Sequence, residues 1–157
     1  MAYIDYEYFK SLYGADSISM ADFNRLSWDA EREIDKATSG VDGIKKLRVA
    51  FPTNDYDAEN VKRCVAELVN FLYKLDVTNY SVRESSGAIH GSVVKSVSAG
   101  NESITYETPG VLGTAMSSFR SKDLTIMEFI SSKLGGVSDA NGVNLLYGGT
   151  YPFKVEV

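Results

Sequence analysis

The stretch from Asp57 to Val77 constrains the fold more than any other part of the chain. Val61, Cys64, Val65, Leu68, Val69, Leu72 and Leu75 fall within about 140° of a helical circumference at ~100° per residue. Lys62, Arg63, Glu67, Asn70 and Lys74 take the remaining arc. Asp57 is the expected N-cap, with Glu59 in the first turn, where the helix dipole favours a carboxylate. This segment is predicted to be the central helix of a helical core, spanning 58–76.

Two further helices are expected before it. Asp5 caps a short one over Tyr6 to Leu12, and Gly14 ends it in a left-handed conformation. The aromatics Tyr3, Tyr6, Tyr8, Phe9 and Tyr13 are expected to pack on the core, and any that point outward would suit an interface. Ser19 with Asp22 resembles a capping box with Asp in place of Glu. Phe23, Leu26, Ala30, Ile34 and Ala37 then form one narrow stripe, and Gly40 stops the helix. Trp28 lies off that stripe, on the arc shared by Asn24, Arg32 and Asp35. Either a second element covers it or it makes a subunit contact, since Trp is enriched at interface hot spots. Residues 41–56 are expected to hold one turn around Ile44 to Val49. Pro52 then breaks the chain, and Thr53, Asn54 and Asp55 read as a loop.

The helical pattern fades after Val77. Ser81 to Ser92, SVRESSGAIHGS, reads as a mobile loop or arm. VVKSVS and SITYE follow, with Gly100-Asn101 as the turn of a hairpin. Such a hairpin is marginal alone and must lean on helices or on another subunit. A last helix is expected from about Ser121 to Leu134, with Leu124, Met127, Ile130 and Leu134 on its apolar face and Gly135-Gly136 at its end. A short apolar piece, Val143 to Tyr147, leads to the terminal YPFKVEV. The expected fold is mainly α: a single domain over 1–157. Its helical core covers about 5–76 and 121–134, the arm and hairpin 81–107, and an extended C-terminal tail 143–157.

Composition narrows function by exclusion. One cysteine, Cys64, permits no internal disulfide, and its place in the stripe makes it a buried apolar side chain. One histidine, His90, excludes a metal site built on histidines. His90 lies in the polar arm, so a Ser-His-Asp site is not expected. There is no P-loop, and no GxGxxG follows a strand. Glu31 with Asp35 reads as a solvated helix face. Asp139-Ala-Asn141-Gly142 matches part of a calcium loop but lacks the remaining ligands. No catalytic residue, cofactor or metal is expected, and the chain is not read as an enzyme. The net charge of −5 argues against nucleic-acid binding as the main activity, although an acidic wall suits a channel through which DNA must slide. No apolar run approaches the roughly 18 residues of a membrane span. MAYIDYEYFK lacks the features of a signal peptide, so folding in a cytoplasm is expected.

Four segments together resemble the head–tail connector (head-completion) family of tailed bacteriophages of Gram-positive hosts. They are YIDYEYFKSLYG with ADFNRLSWDAEREIDKATSG; VKRCVAELVNFLY; the strand–turn–strand VVKSVSAGNESITYE; and GVNLLYGGTY. Their order and spacing cover nearly the whole chain. The family's Arg after Leu-Leu-Tyr is Gly148 here, and the resemblance does not place the tail YPFKVEV. The resemblance implies a helical bundle with a hairpin or extended loop and a closed ring, expected to be dodecameric. The ring would dock beneath the portal protein, extend the DNA channel without sequence-specific contact, and meet a tail-completion or stopper protein. The setting would be the virion neck, reached from the host cytoplasm.

A ring needs a heterologous interface, in which one face of each subunit meets a different face of the next. The residues expected to form it are Trp28; Val93, Val94, Val97, Asn101, Ile104 and Tyr106 of the hairpin; and Tyr151, Phe153, Val155 and Val157 of the tail. Hairpin and tail would pair with a neighbour or the portal by strand addition. Some helix-borne acids would face the channel. The alternatives are another neck or tail-completion protein, richer in β structure, or a small helical regulatory binding module that ignores portals.

Overall fold

Asp5 opens the first helix. Its carboxylate accepts from the Tyr8 N–H at 2.7 Å, and α1 (Tyr6–Tyr13) follows. Gly14 ends it at φ 91° and ψ 160°. The positive φ is as expected, but the ψ belongs to an extended region that essentially only glycine enters. At the next helix the Ser19 Oγ accepts from the Asp22 N–H at 3.1 Å and donates to the Asp22 carboxylate at 2.7 Å. Asp is one methylene shorter than the Glu of a capping box, and here it takes the serine hydroxyl. The elements are α2 (Met20–Thr38), α3 (Lys46–Val49), α4 (Asp55–Ser85), β1 (Val93–Ser98) and β2 (Ser103–Glu107), then α5, helical over 124–134. The computed structural model describes residues 2–14, 17–85, 93–98, 103–107 and 124–153. For 78–85 and the two strands the description is of backbone alone. The fold is mainly α.

The chain divides into two units, Met1–Tyr73 with Ile126–Val157, and Lys74–Thr125. In the first, α4 buries Val61, Cys64, Val65, Leu68, Val69 and Leu72 as its periodicity requires. Phe9 of α1, Phe23, Leu26, Ala30 and Ile34 of α2, and Ile126, Ile130 and Leu134 of α5 complete the same core. Leu47 of α3 and Leu145 close it. Phe9 and Phe23 meet with ring centroids 5.4 Å apart, so the aromatic opening does pack inward. The second unit holds the end of α4 and the hairpin. Its strands run antiparallel, with Val94 opposite Tyr106, Val97 opposite Ile104 and Ser98 opposite Ser103. The register shifts between Val94 and Ser96, which places Lys95 in a bulge. The turn residue Asn101 lies outside the described residues.

Three sequence expectations are corrected. The cap of α4 is Asn54, whose side-chain oxygen accepts from the Tyr56 N–H at 2.9 Å. Asp57 lies inside the first turn. The helix also continues through Ser85, so 81–85 is helix rather than arm. Ser81-Val-Arg-Glu-Ser holds no Gly or Pro, and none of its residues stops a helix already propagating. Finally, α5 buries Ile126, Ile130 and Leu134, while Leu124 and Met127 are exposed. Leu124 lies roughly 120° from Ile130 at ~100° per residue. Lys133, on the other flank, reaches Glu67 of α4 at 2.8 Å and favours this rotation.

After α5 the chain folds back over α3. The Asp139 carboxylate accepts from the N–H groups of Asn141 and Val143 at 2.9 and 2.8 Å and from the Tyr151 hydroxyl at 2.5 Å. Its oxygens shape a turn. Val41 N–H donates to Gly148 O at 3.2 Å, and Tyr151 N–H donates to the Asp42 carboxylate at 2.6 Å. A Cβ on Gly40 would collide with the Gly149 carbonyl, so only glycine admits this approach. Lys46 is fully buried and donates to the carbonyls of Leu145, at 3.0 Å, and Tyr147. Burial lowers its pKa, with Asp139 and Asp42 opposing.

Candidate functional site

The second face of α2 carries Asn24, Ser27, Trp28, Glu31 and Asp35 at helical spacing. Buried Phe23, Leu26, Ala30 and Ile34 fix the rotation of the helix, and that fixes this face. With Arg32, and with Ala2, Lys45 and Arg48 from neighbouring segments, these residues line a cleft of about 520 Å³.

The floor of the cleft is charged and closed. Glu31 and Asp35 are buried, contrary to the solvated face expected of them. Two like charges at this spacing repel on a helix, and buried carboxylates need a cation and donors. Arg48 supplies the cation: its Nε donates to Asp35 at 2.9 Å and its Nη2 to Glu31 at 2.9 Å. The Tyr3 N–H donates to the other Glu31 oxygen at 2.8 Å, and the Tyr3 hydroxyl donates to the other Asp35 oxygen. Arg48 also lies over the Tyr3 ring, 4.3 Å from its centroid, and Tyr3 stacks on Phe51 at 5.8 Å. Burial, then the bond to Asp35 and the charge of that group, raise the Tyr3 pKa. Each carboxylate oxygen named here already has a donor on the same chain. The cluster clasps the N-terminal segment to α2 and α3.

The rim is different. Trp28 is 64% exposed, so no described element covers it. The Arg32 guanidinium sits 5.3 Å from its ring and makes only long contacts to Asp29 and Glu33, at 3.4 and 3.8 Å. Lys45 opens α3 with no side-chain cap bond and has no acidic partner among the described residues. The result is an uncovered indole with Arg32 on its ring and Lys45 on the same cleft, over an ion-paired floor. Such a surface binds through aromatic contact and charge. Among the described residues no buried side-chain polar atom lacks a partner, and no group of three or more His, Cys, Asp or Glu side chains is placed to hold a metal.

Of the interface residues expected from sequence, Trp28 is the one that lines this cleft among the described side chains. Val93, Val94, Val97, Ile104 and Tyr106 lie on the paired strands, and their side chains are outside the description. Val155 and Val157 also lie outside the described residues. Tyr151 is 5% exposed, and its hydroxyl also accepts from Asn141 at 2.9 Å. It is a core residue of its own chain, not a free edge, because both its polar groups are engaged within that chain. Phe153 is half exposed and meets Tyr151 edge-on at 5.9 Å. Residues 151–153 are not strand. Sequence reasoning missed Arg48, Lys45 and the burial of Glu31 and Asp35. The available signal was two acids four apart beside a tryptophan, a pattern that calls for a cation from elsewhere.

Comparisons with protein-family models, with curated proteins and with solved structures find no match to this chain. Among the described residues no helix is long and apolar enough to cross a membrane.

Proposed function

We propose that the chain is a structural subunit of a tailed-bacteriophage neck: a head–tail connector that assembles into a ring beneath the portal protein, extends the DNA channel and offers a docking surface to the tail or a stopper protein. The observation that carries this reading is the uncovered Trp28 in its charged cleft. It is a prebuilt protein-binding surface on a mainly helical fold whose other buried acids are all engaged in holding the subunit together. The four-part sequence resemblance supplies the identity of the partners, and the helical content agrees with the fold that the resemblance implies. The net charge of −5 suits a wall past which DNA slides without adhesion. The subunit would work in the virion neck after folding in the host cytoplasm.

Electron microscopy of the purified protein, alone and mixed with portal rings, tests the proposal. Rings, or added density beneath the portal, are the expected result. A protein that stays monomeric or dimeric at high concentration and leaves portals bare would instead be a helical binding module. A ring whose channel is lined mainly by Lys and Arg would overturn the account of DNA passage.

A further inference from the structure

We infer that the Trp28 cleft receives the Asp55–Tyr56–Asp57 corner of a second copy of this chain. The inference rests on the ring reading and names the two surfaces that would meet.

The chemistry of the two surfaces is complementary. The rim of the cleft is aromatic and cationic: Trp28, Arg32 stacked on it, and Lys45 without an acidic partner among the described residues. The two acids of the floor share the single cation Arg48, with Tyr3 as a neutral donor, and Arg32 is shared with Asp29 and Glu33, so Lys45 is the cation of the rim that an acidic corner would meet. The corner at the start of α4 is aromatic and anionic. Tyr56 is 75% exposed, flanked by Asp55 and Asp57 in the first turn. Neither Asp has an ion-pair partner among the described residues, whereas Glu59 one turn on is taken by Tyr8 and Arg63 at 2.9 and 2.8 Å.

Both surfaces are preformed. The corner is held by the Asn54 cap and by buried Pro52, and the cleft by the Arg48 cluster, so little ordering cost falls on contact. Hot spots are enriched in Trp, Tyr and Arg and tend to meet one another across an interface. A second copy also answers a problem of charge. Subunits that each carry −5 repel as wholes, and a local cationic site facing an acidic corner fixes their register. Cleft and corner lie on different elements, α2–α3 and α4, as a head-to-tail contact requires.

The test uses the full chain. An Asn24→Cys copy and a Thr53→Cys copy, one lengthened by a tag, are mixed and treated with a short bis-maleimide. Native Cys64 stays silent, because it is buried and burial pushes its thiol up to about 12. The expected result is a mixed pair in clear excess over the statistical yield relative to the two self-pairs. That excess should fall about tenfold when the Asn24→Cys copy also carries Arg32→Glu and Lys45→Glu. It should return when the other copy carries Asp55→Lys and Asp57→Lys. Circular dichroism verifies that each variant is folded. Statistical yields, or a charge swap between folded copies that restores nothing, overturn the inference. Rings without the mixed pair would leave the connector reading standing and remove this interface. The mixed pair without rings on portals would keep the interface and remove the connector reading.

Discussion

Arg48 decides whether α2 can bury two acids four residues apart. Remove it, and Glu31 and Asp35 keep their Tyr3 donors but lose their cation. Arg48→Ala should cost about 2–4 kcal/mol in urea unfolding, the lower end because solvent reaches part of the guanidinium. Replacing Arg48, Glu31 and Asp35 together by Met, Gln and Asn should cost less than the sum of the single changes. Trp28→Ala should leave that stability nearly unchanged, since the ring is mostly exposed, and on the proposed function it should weaken ring association by about 2 kcal/mol or more in sedimentation. Alkali should destabilise the chain through buried hydroxyl and thiol groups, Tyr3 among them. Burial raises the Cys64 thiol from 9.0 to about 12. Burial, then the bond to Glu59, raises the Tyr8 hydroxyl from 10.0 to about 12. Folded pKa values above the unfolded ones mean stability that is complete below pH 9 and is lost as pH rises toward 12. Cys64→Ala should move the onset of that loss up toward pH 10 in a pH series of thermal melts. Trp28 and its arc of Asn24, Arg32 and Asp35 were legible in the sequence, because they share one helix. Arg48 was not, because its pairing with α2 depends on how α3 packs.

Among the elements, α4 was legible because its stripe repeats over several turns, and its burial agrees residue by residue through Leu72. Its ends were harder to read. Asn54 and Asp57 are both good capping types, and only the Tyr56 N–H bond distinguishes them. Asn54→Ala should therefore cost ~1 kcal/mol, while Asp57→Ala should cost only the few tenths of a first-turn acid. Equal losses in denaturant titrations would contradict the observed cap. The strand pair was legible from the two β-rich runs VVKSVS and SITYE. The face of α5 was not, since a helix of 11 residues fits two overlapping arcs and the Lys133–Glu67 pair favours one.

At the scale of the molecule, the C-terminal piece departs furthest from what the sequence suggested. The tail with Tyr151, Phe153, Val155 and Val157 is expected from sequence to pair with a neighbour or the portal. Tyr151 instead anchors it to Asp42, Asp139 and Asn141. Removing 154–157 should leave the melting temperature of the first unit nearly unchanged. Removing 151–157 should destabilise it by about 3 kcal/mol or more, as for loss of a buried aromatic. Equal melting temperatures for the two truncations would show that the anchor is dispensable. No local pattern announces such a contact, because Tyr151 and Asp42 lie 109 residues apart.

Lys46 adds a dimension of time. Its acceptors, the carbonyls of Leu145 and Tyr147, follow it by 99 and 101 residues. At ribosomal rates of ~5–20 residues per second, that separation is about 5–20 s of synthesis. Through that interval the Lys46 ammonium lacks these two acceptors, and burying it without them would be costly. Lys45, which precedes α3, and Arg48, which lies on it, stand either side of Lys46 in sequence and both line the cleft. On the proposed function, the face that meets a neighbouring copy would then be among the last parts of the subunit to mature, which would delay contact between nascent chains on one message.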